Sequence, residues 1–201
     1  MYHLIAHRKN TISELVATPG KYGIEVDIRS MGDRLVIHHD PFVEGEDFEA
    51  WLKSYQHKTL ILNVKEEGLE ARLLELMESH GIDDYFFLDQ SFPFLIKWSR
   101  QGLRRSAVRV SEFESIETAM TLAGKVDWVW VDYFTHFPLS TEDAEKLTKG
   151  GFKLCLVSPE LQGFDADSYI PDLYKLLQHR GIIPHAVCTK RPDLWEACLT
   201  Q

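Results

Sequence analysis

Glu25 and Asp27 stand two positions apart within the apolar sequence GIEVDI. Side chains alternate between the two faces of a β-strand, so both carboxylates point to the same side. Two neighbouring carboxylates repel each other, and a hard divalent cation relieves that repulsion while taking their oxygens as ligands. The spacing therefore indicates a site for Mg²⁺ or Ca²⁺. The alternative is a pair of acids that are solvated or paired with arginine.

Two histidines at the ends of apolar runs have charged neighbours: His7 precedes Arg8, and His39 precedes Asp40. Two imidazoles across a cleft suit a reaction that needs one proton donor and one proton acceptor. We therefore expect His7 and His39 to form an acid–base pair near the two carboxylates. Six of the other histidines have no comparable charged neighbours, and we expect structural roles for them. The seventh, His38, is adjacent to His39, and only one of two adjacent residues on a strand can face inward.

Short β-branched or aromatic runs, which are typical of strands, must position these residues. Nine such runs occur, at residues 2–6, 23–28, 34–37, 59–64, 85–88, 107–110, 128–131, 152–157 and 185–188. Amphipathic stretches of helical period lie between most of them, at residues 69–80, 92–101, 114–123, 141–149 and 168–179. Only residues 29–33 separate the second run from the third, so these two runs are predicted to form an antiparallel hairpin.

Setting the third run aside leaves eight strands suited to parallel pairing. They predict an α/β fold, a (β/α)8 TIM-type barrel with a short extra β-hairpin after strand two. The 201 residues are close to the lower size limit of that fold, roughly 200 residues, so we expect a single barrel domain over residues 1–201. A doubly wound open sheet is the alternative, but no GxGxxG sequence follows the first strand.

Polar residues at the ends of the predicted strands are candidates for the site, because barrels of this kind build their sites at the C-terminal ends of the strands. Besides the residues already named, these candidates are Asn10, Asn63, Lys65, Arg109, Glu112, Asp132 and Glu160. Asp40 joins them through its position beside His39.

The charge balance is acidic, with 22 Lys+Arg against 31 Asp+Glu and a formal net charge of −9. Such a chain repels the backbone of nucleic acids, so no nucleic-acid partner is expected, whereas a small anionic substrate is compatible with a local cluster of cations.

No run of 18 apolar residues and no basic-then-apolar leader occurs, so we expect no transmembrane segment and a cytoplasmic location. Three cysteines without a CxxC spacing exclude a disulfide scaffold and a zinc ribbon; Cys155 and Cys188 lie in apolar runs and are expected to be buried. The sequence leaves the oligomeric state open.

Several blocks of sequence occur in a distinctive order near the N-terminus. They are IAHR at residues 5–8, NT at 10–11, IEVDI at 24–28 and LVIHHD at 35–40. This ordered set resembles the N-terminal signature of the glycerophosphodiester phosphodiesterases, which runs His-Arg, Glu-Asn-Thr, Glu-x-Asp and His-Asp. Further on, NVK at 63–65, QSF at 90–92 and TKRPD at 189–193 fall where that family has Glu-x-Lys, Ser-Phe and Thr-Asp-x-Pro-Asp. The resemblance spans nearly the whole chain and is strongest up to Asp40.

The resemblance implies a βα barrel that holds a divalent metal and cleaves a phosphodiester with a pair of histidines, through the neighbouring hydroxyl of the glycerol. The roles it implies are His7 and His39 as acid and base, Glu25 and Asp27 as metal ligands, Arg8 and Lys65 as phosphate contacts, and Asn63 at a third metal-ligand position. A metal with Arg and Lys around it would stabilise the negative charge that develops on the phosphorus centre.

This chain departs from the family pattern at four places. Lys9 replaces a glycine in a shortened first loop, and Lys190 stands for an aspartate. Asn63 replaces an acidic ligand; its carbonyl oxygen can still bind a hard cation, but the site loses one negative charge. Residues 41–58 are few where the family commonly inserts a substrate-covering subdomain, so we expect an open mouth.

Two hypotheses from different classes follow. The leading one is a metal-dependent phosphodiesterase that acts on a small or lipid-derived glycerol phosphodiester. The alternative is a phosphate-ligand binding or regulatory barrel that has lost turnover, which Asn63 and the short segment 41–58 favour. The enzyme is favoured by the presence of both His7 and His39, because a binding protein has little use for a matched proton donor and acceptor. A sugar-phosphate isomerase-like barrel is disfavoured, since no loop of glycines and small residues follows the last strands.

Overall fold

The computed structural model describes residues 2–200, and strands and helices alternate along the chain. The strands are β1 (His3–Ala6), β2 (Gly23–Met31), β3 (Arg34–Ile37), β4 (Glu46–Asp47), β5 (Leu60–Val64), β6 (Tyr85–Leu88), β7 (Ala107–Val110), β8 (Trp128–Val131), β9 (Lys153–Val157) and β10 (Ala186–Thr189). The α-helices are α1 (Ile12–Ala17), α2 (Phe48–Leu52), α3 (Glu70–Ser79), α4 (Phe92–Arg100), α5 (Ile116–Met120), α6 (Thr141–Lys149), α7 (Ala166–Arg180) and α8 (Pro192–Leu199). A 3-10 helix covers Pro159–Gln162.

Eight of the strands are parallel and form one curled sheet in the order β6-β5-β2-β1-β10-β9-β8-β7. Strand β3 pairs antiparallel with β2, as the short connection predicts, and β4 pairs with β3. These eight parallel strands and the added hairpin confirm the predicted α/β architecture.

The two end strands of the curled sheet, β6 and β7, meet at a seam with little pairing. A single parallel bridge joins Phe87 to Ser106, and the Phe87 N–H donates to the Arg105 carbonyl at 2.9 Å. Toward their C-terminal ends, no further ladder joins these two strands within residues 2–200. The sheet therefore curls toward the predicted barrel, but among the described residues no strand ladder closes its wall at this seam.

The interior of the curled sheet is apolar at one end and polar at the other. Ile61, Ala107 and Trp130 belong to a buried cluster inside the sheet. Two residues further along each strand, the period of two places Asn63, Arg109 and Asp132 on the same inner face. The polar layer therefore lies at the C-terminal ends of the strands. Two larger apolar clusters fill the space between the outer face of the sheet and the helices.

Gly23 allows β2 to approach its neighbours closely. A Cβ atom at this position would lie 2.6 Å from the Thr59 carbonyl oxygen and 2.8 Å from His3 Nε2. Contacts this short force the backbone to shift, so a side chain here would push the start of β2 away from its neighbouring strands. Because Glu25 and Asp27 follow on the same strand, this glycine helps to set their depth inside the barrel.

Three helices, α1, α2 and α8, lie outside the predicted amphipathic stretches. Helices α1 and α2 have 6 and 5 residues, too few to show a helical period in the sequence. Helix α1 is capped at its N-terminus by Thr11 in a capping box, in which the side chains of Thr11 and Glu14 each accept a hydrogen bond from the other's backbone N–H.

The expected burial of Cys155 and Cys188 is confirmed. Within residues 2–200, no helix combines the length and apolar character that a membrane crossing requires.

Candidate active site

A cavity of about 250 Å³ opens at the C-terminal ends of the strands, where the polar layer of the interior lies. Its lining consists of His7, Arg8, Glu25, Asn63, Lys65, Leu88, Asp89, Arg109, Trp130, Asp132, Phe134, Val157, Leu161, Gln162 and Lys190. Seven of the residues predicted from sequence line it together: His7, Arg8, Glu25, Asn63, Lys65, Arg109 and Asp132. Asp27 is fully buried beside them.

Glu25 is completely buried and is held by two hydrogen bonds, one from strand β5 and one from the loop after β1. The Asn63 side-chain amide donates to Oε1 at 2.7 Å, and the Arg8 backbone N–H donates to Oε2 at 2.7 Å. Burial and the nearby negative charge of Asp27 raise the pKa of the Glu25 carboxyl. The strand period predicted that Glu25 faces inward with Asp27, and the structure confirms it.

Asp27 is paired with cations on both sides. Arg8 Nε lies 3.1 Å from Oδ2, and Lys65 Nζ lies 3.2 Å from Oδ1. The Asn10 amide also donates to Oδ2 at 2.8 Å, and the Asp27 N–H donates back to the Asn10 side-chain oxygen at 3.1 Å. Although burial alone raises the pKa of Asp27, Lys65, Asn10 and Arg8 together hold it below its usual range. The arginine-paired alternative therefore describes Asp27.

The buried oxygens of Glu25 and Asn63 fit a hard divalent cation. Asn63 Oδ1 is buried and has no hydrogen-bond partner among residues 2–200. An amide oxygen next to a buried carboxylate, with room for a phosphate oxygen and water, is the kind of set that Mg²⁺ accepts, since this ion commonly uses one or two carboxylates. Asp27 could join this set only if Arg8 or Lys65 turned away from it. No group of three or more His, Cys, Asp or Glu side chains is arranged for a metal within the described chain, so Asn63 is essential to the predicted set.

His7 lies inside the cavity lining with its side chain 12% exposed. Burial, reinforced by the positive charges of Arg8 and Lys190, lowers the pKa of His7 to about 3. The imidazole is therefore neutral at neutral pH. Its Nε2 lies 3.7 Å from Glu25 Oε2, which is too long for a hydrogen bond. A ring with so low a pKa is a weak base, and a phosphate bound beside Arg8 and Lys190 would raise this pKa by offsetting their positive charge.

His39 is not among the residues that line the cavity. The His38 N–H donates to the Asp27 carbonyl at 3.1 Å, so the residue before His39 is hydrogen-bonded to β2 at Asp27. The side chain of His39 is 45% exposed, and its Nδ1 lies 2.7 Å from Asp40 Oδ1. A carboxylate at Nδ1 favours the tautomer with the proton on that nitrogen, and Nε2 is then the nitrogen that can gain or lose a proton.

Two further acids extend the row of charges across the cavity. Lys65 Nζ lies 3.0 Å from Asp89 Oδ2, and Asp89 also pairs with Arg109. On its other side Arg109 Nη1 lies 3.2 Å from Asp132 Oδ2. The Gln162 amide donates to Asp132 Oδ1 at 2.7 Å. Alternating acids and cations therefore run from β1 to the end of β8 and fix the positions of Lys65 and Arg109.

Four predicted lining residues act beside the cavity instead of in its wall. Asn10 holds Asp27, and Asp40 contacts His39. Glu112 accepts hydrogen bonds from the backbone N–H groups of residues 134–136 and so fixes the loop that carries Phe134. Glu160 accepts from the Thr189 hydroxyl at 2.6 Å and the Lys190 N–H at 2.8 Å, which fixes the loop after β10.

The backbone is strained at two residues of the cavity wall. Arg8 and Asp89 have φ angles of 52° and 61°, in the left-handed region that residues other than glycine seldom occupy. Each follows the end of a strand, and each side chain pairs with groups from a neighbouring strand. Strained positions of this kind concentrate at functional sites, where the surrounding contacts maintain them.

The structure also places Asp89, Lys190 and Gln162 in the cavity wall. The sequence marks Asp89 and Lys190 only as polar residues at strand ends, without a role, and does not mark Gln162. Asp89 and Lys190 follow β6 and β10, so the ends of the apolar runs do mark them. Gln162 lies on the 3-10 helix Pro159–Gln162, a turn that carries no sequence signal pointing inward.

Solved structures with a similar fold were found by comparison of the coordinates. A glycerophosphodiester phosphodiesterase from Agrobacterium tumefaciens strain C58 matches with a TM-score of 0.70 and 14% sequence identity, over 100% of both chains. A glycerophosphoryl diester phosphodiesterase from Parabacteroides distasonis ATCC 8503 matches with a TM-score of 0.68 and 12% identity, over 100% of this chain and 86% of the other. No family model and no curated protein sequence matches the chain. The chain therefore shares the fold of the glycerophosphodiester phosphodiesterases, as its sequence blocks predicted.

Proposed function

We propose that the protein is a metal-dependent phosphodiesterase that hydrolyses a glycerol-type phosphodiester by acid–base catalysis with His7 and His39. The observation that carries this proposal is the meeting, in one cavity, of neutral His7, the buried Glu25–Asn63 pair and the cations Arg8 and Lys65. The shared fold of two phosphodiesterases supports it. The substrate class is a small or lipid-derived phosphodiester, and no nucleic-acid partner is part of the proposal.

The proposed reaction uses the cavity residues in distinct roles. Arg8 and Lys65 face the phosphate and stabilise the negative charge that grows on its oxygens. His7, which is neutral, takes the proton of the attacking glycerol hydroxyl, and His39 gives a proton to the leaving alcohol, which leaves a cyclic phosphate. Water then opens this ring with the two histidines in reversed roles, which completes the hydrolysis. Glu25 and Asn63 would hold Mg²⁺ or Ca²⁺, and Asp27 would join them if Arg8 or Lys65 left it for the phosphate. The ion, when bound, would polarise a phosphoryl oxygen.

The experiment that tests the proposal is a turnover assay on glycerophosphocholine with Mg²⁺, with Ca²⁺ and with a chelator. We expect the metal to be required and His7→Ala to lose activity by roughly 10²–10⁴-fold. Full turnover in the presence of chelator would contradict the metal requirement. Equal turnover by His7→Ala would contradict the catalytic assignment.

The binding-barrel alternative is supported by one observation, the pairing of Asp27 with both Arg8 and Lys65. Each cation occupies the space that a metal on Asp27 would need, and two cations beside a cavity also suit a bound phosphate. This alternative expects phosphate or phosphodiester binding in calorimetry without turnover, and binding that chelator does not change.

A further inference from the structure

A second, larger cavity of about 650 Å³ lies at the seam between β6 and β7, and we call it the side cleft. It occupies the part of the wall where the ladder between these strands is missing in the described chain. Helices α4 and α5 contribute Leu95 and Thr118 to its walls, so it runs outward between them. Its volume lies within the range of ligand pockets, roughly 300–1,000 Å³.

The side cleft and the candidate active site share part of their walls. Leu88, Asp89 and Arg109 line both cavities. The rings of Phe113, in the side cleft, and Phe134, in the active-site cavity, lie 5.9 Å apart. The two cavities are therefore neighbours, and a molecule that occupied both would run over the Asp89–Arg109 ion pair, which forms part of both walls.

The chemistry of the side cleft changes along its length. Near the active site it presents Leu88 and the charged pair Asp89 and Arg109, and the rest of its lining includes the apolar residues Phe92, Leu95 and Phe113 together with the acid Glu114. Phe113 is 78% exposed and Phe92 is 46% exposed, so both rings offer apolar surface that a ligand could cover. A phosphate at the inner end would share Arg109 with Asp89 and Asp132, while the apolar groups match the hydrocarbon tail of an amphiphile.

We propose that the side cleft binds the apolar chain of a single-chain amphiphilic phosphodiester, with Arg109 at its inner end facing the phosphate. The inference rests on the proposed function and narrows its substrate class from small or lipid-derived phosphodiesters to those that carry one hydrocarbon chain. Burial of the chain against Phe92 and Phe113 would supply affinity that glycerophosphocholine lacks.

The test compares two probes of the same charge, dodecylphosphocholine below its micelle concentration and glycerophosphocholine. Calorimetry should show that the wild type binds dodecylphosphocholine at least about tenfold more tightly. Thr118→Trp, which puts an indole into the side cleft from an exposed position of α5, should remove that difference. Glu117→Trp adds the same ring at a neighbouring position outside the lining and should keep it. Unfolding curves of both variants check that they fold.

Binding, not turnover, is the primary readout, so failure of the inference and failure of the proposed function are distinguishable. Equal affinity for the two probes, or tight binding that Thr118→Trp preserves, would overturn the inference and leave the phosphodiesterase proposal standing. Preference for dodecylphosphocholine without turnover of any phosphodiester would support the side cleft and overturn the enzyme. A wild-type dimer that Phe113→Ser converts to a monomer would assign the exposed aromatic rings to a second copy of the chain and overturn the inference.

Discussion

Asn63 donates its side-chain amide to the buried carboxylate of Glu25 across 2.7 Å, from a strand that is paired directly with β2. A neutral residue therefore faces Glu25 where the related signature has an acid. The exchange removes one negative charge from a region in which Asp27 is already matched by Arg8 and Lys65. The charge at residue 63 consequently decides how strongly this cavity attracts a divalent cation.

Asn63→Asp should weaken the metal-free protein and tighten its binding of Mg²⁺ and Ca²⁺. Without metal, the new carboxylate repels Glu25 and removes a hydrogen bond to a charged group, which costs about 1.5–3 kcal/mol of unfolding free energy. With metal, the added charge attracts the cation at close range. Urea unfolding and calorimetric titration, each with and without metal, measure both effects.

Gln162→Glu provides the matched control, because Gln162 also donates a side-chain amide to a buried carboxylate, that of Asp132, which is not among the proposed metal ligands. It should destabilise the protein without tightening metal binding. Metal affinity that stays unchanged or falls in Asn63→Asp would argue against Asn63 as a ligand.

The sequence predicted the inward-facing residues well, because the alternation of side chains along a strand is a local property. Glu25, Asp27 and Asn63 all obey it, and the register of β2 with β5 places Asp27 opposite Asn63. The short connection after β2 likewise predicted the hairpin, since no helix fits within it.

The contacts of long side chains could not be predicted in the same way. Arg8 turns back onto Asp27, and Arg109 lies between acids that follow two different strands, Asp89 and Asp132. These pairings depend on rotamers and on the spacing of strands distant in sequence. The loose seam between β6 and β7 depends on how far two strands diverge, which no residue pattern encodes.

His7→Ala and His39→Ala should each lower the rate on a glycerol phosphodiester by roughly 10²–10⁴-fold. The double variant should lose little more than either single variant, because one histidine alone leaves the proton transfer incomplete. Steady-state kinetics with unfolding curves measure this, and His179→Ala, at an exposed position near the end of α7, is the control. Since His39 lies outside the cavity lining, a full rate in His39→Ala would assign its proton to another group.

Lys65→Gln should weaken phosphate binding and strengthen metal binding. The lysine contributes a charged contact near the phosphate position, so its loss should weaken binding of inorganic phosphate by roughly 10–100-fold. It also competes with a cation for Asp27, so its loss frees that carboxylate. Calorimetry with phosphate and with Mg²⁺ separates the two effects, and the exposed Lys149→Gln is the control. Weaker binding of both ligands would show that Asp27 does not hold the metal.

Glu112→Gln should remove part of the acid sensitivity of folding. Burial works against the charge of Glu112, but hydrogen bonds from the backbone of Thr135 and His136 lower its pKa to about 2, from an ordinary value of 4.5. A group with a depressed folded pKa contributes its full stabilisation above the unfolded value, and this is lost as the pH falls toward the folded value. We expect Glu112→Gln to cost about 1.5–3 kcal/mol at pH 7 and progressively less between pH 4.5 and pH 2.

Urea unfolding of the two proteins at several pH values measures the difference, in which all other carboxylates cancel. Glu117→Gln changes an exposed acid on α5 and should show no such pH dependence. Because Glu112 fixes the loop that carries Phe134, the same substitution should also loosen the wall that separates the active-site cavity from the side cleft. A stability difference between wild type and Glu112→Gln that stays constant from pH 7 to pH 3 would show that the carboxylate charge does not stabilise this loop.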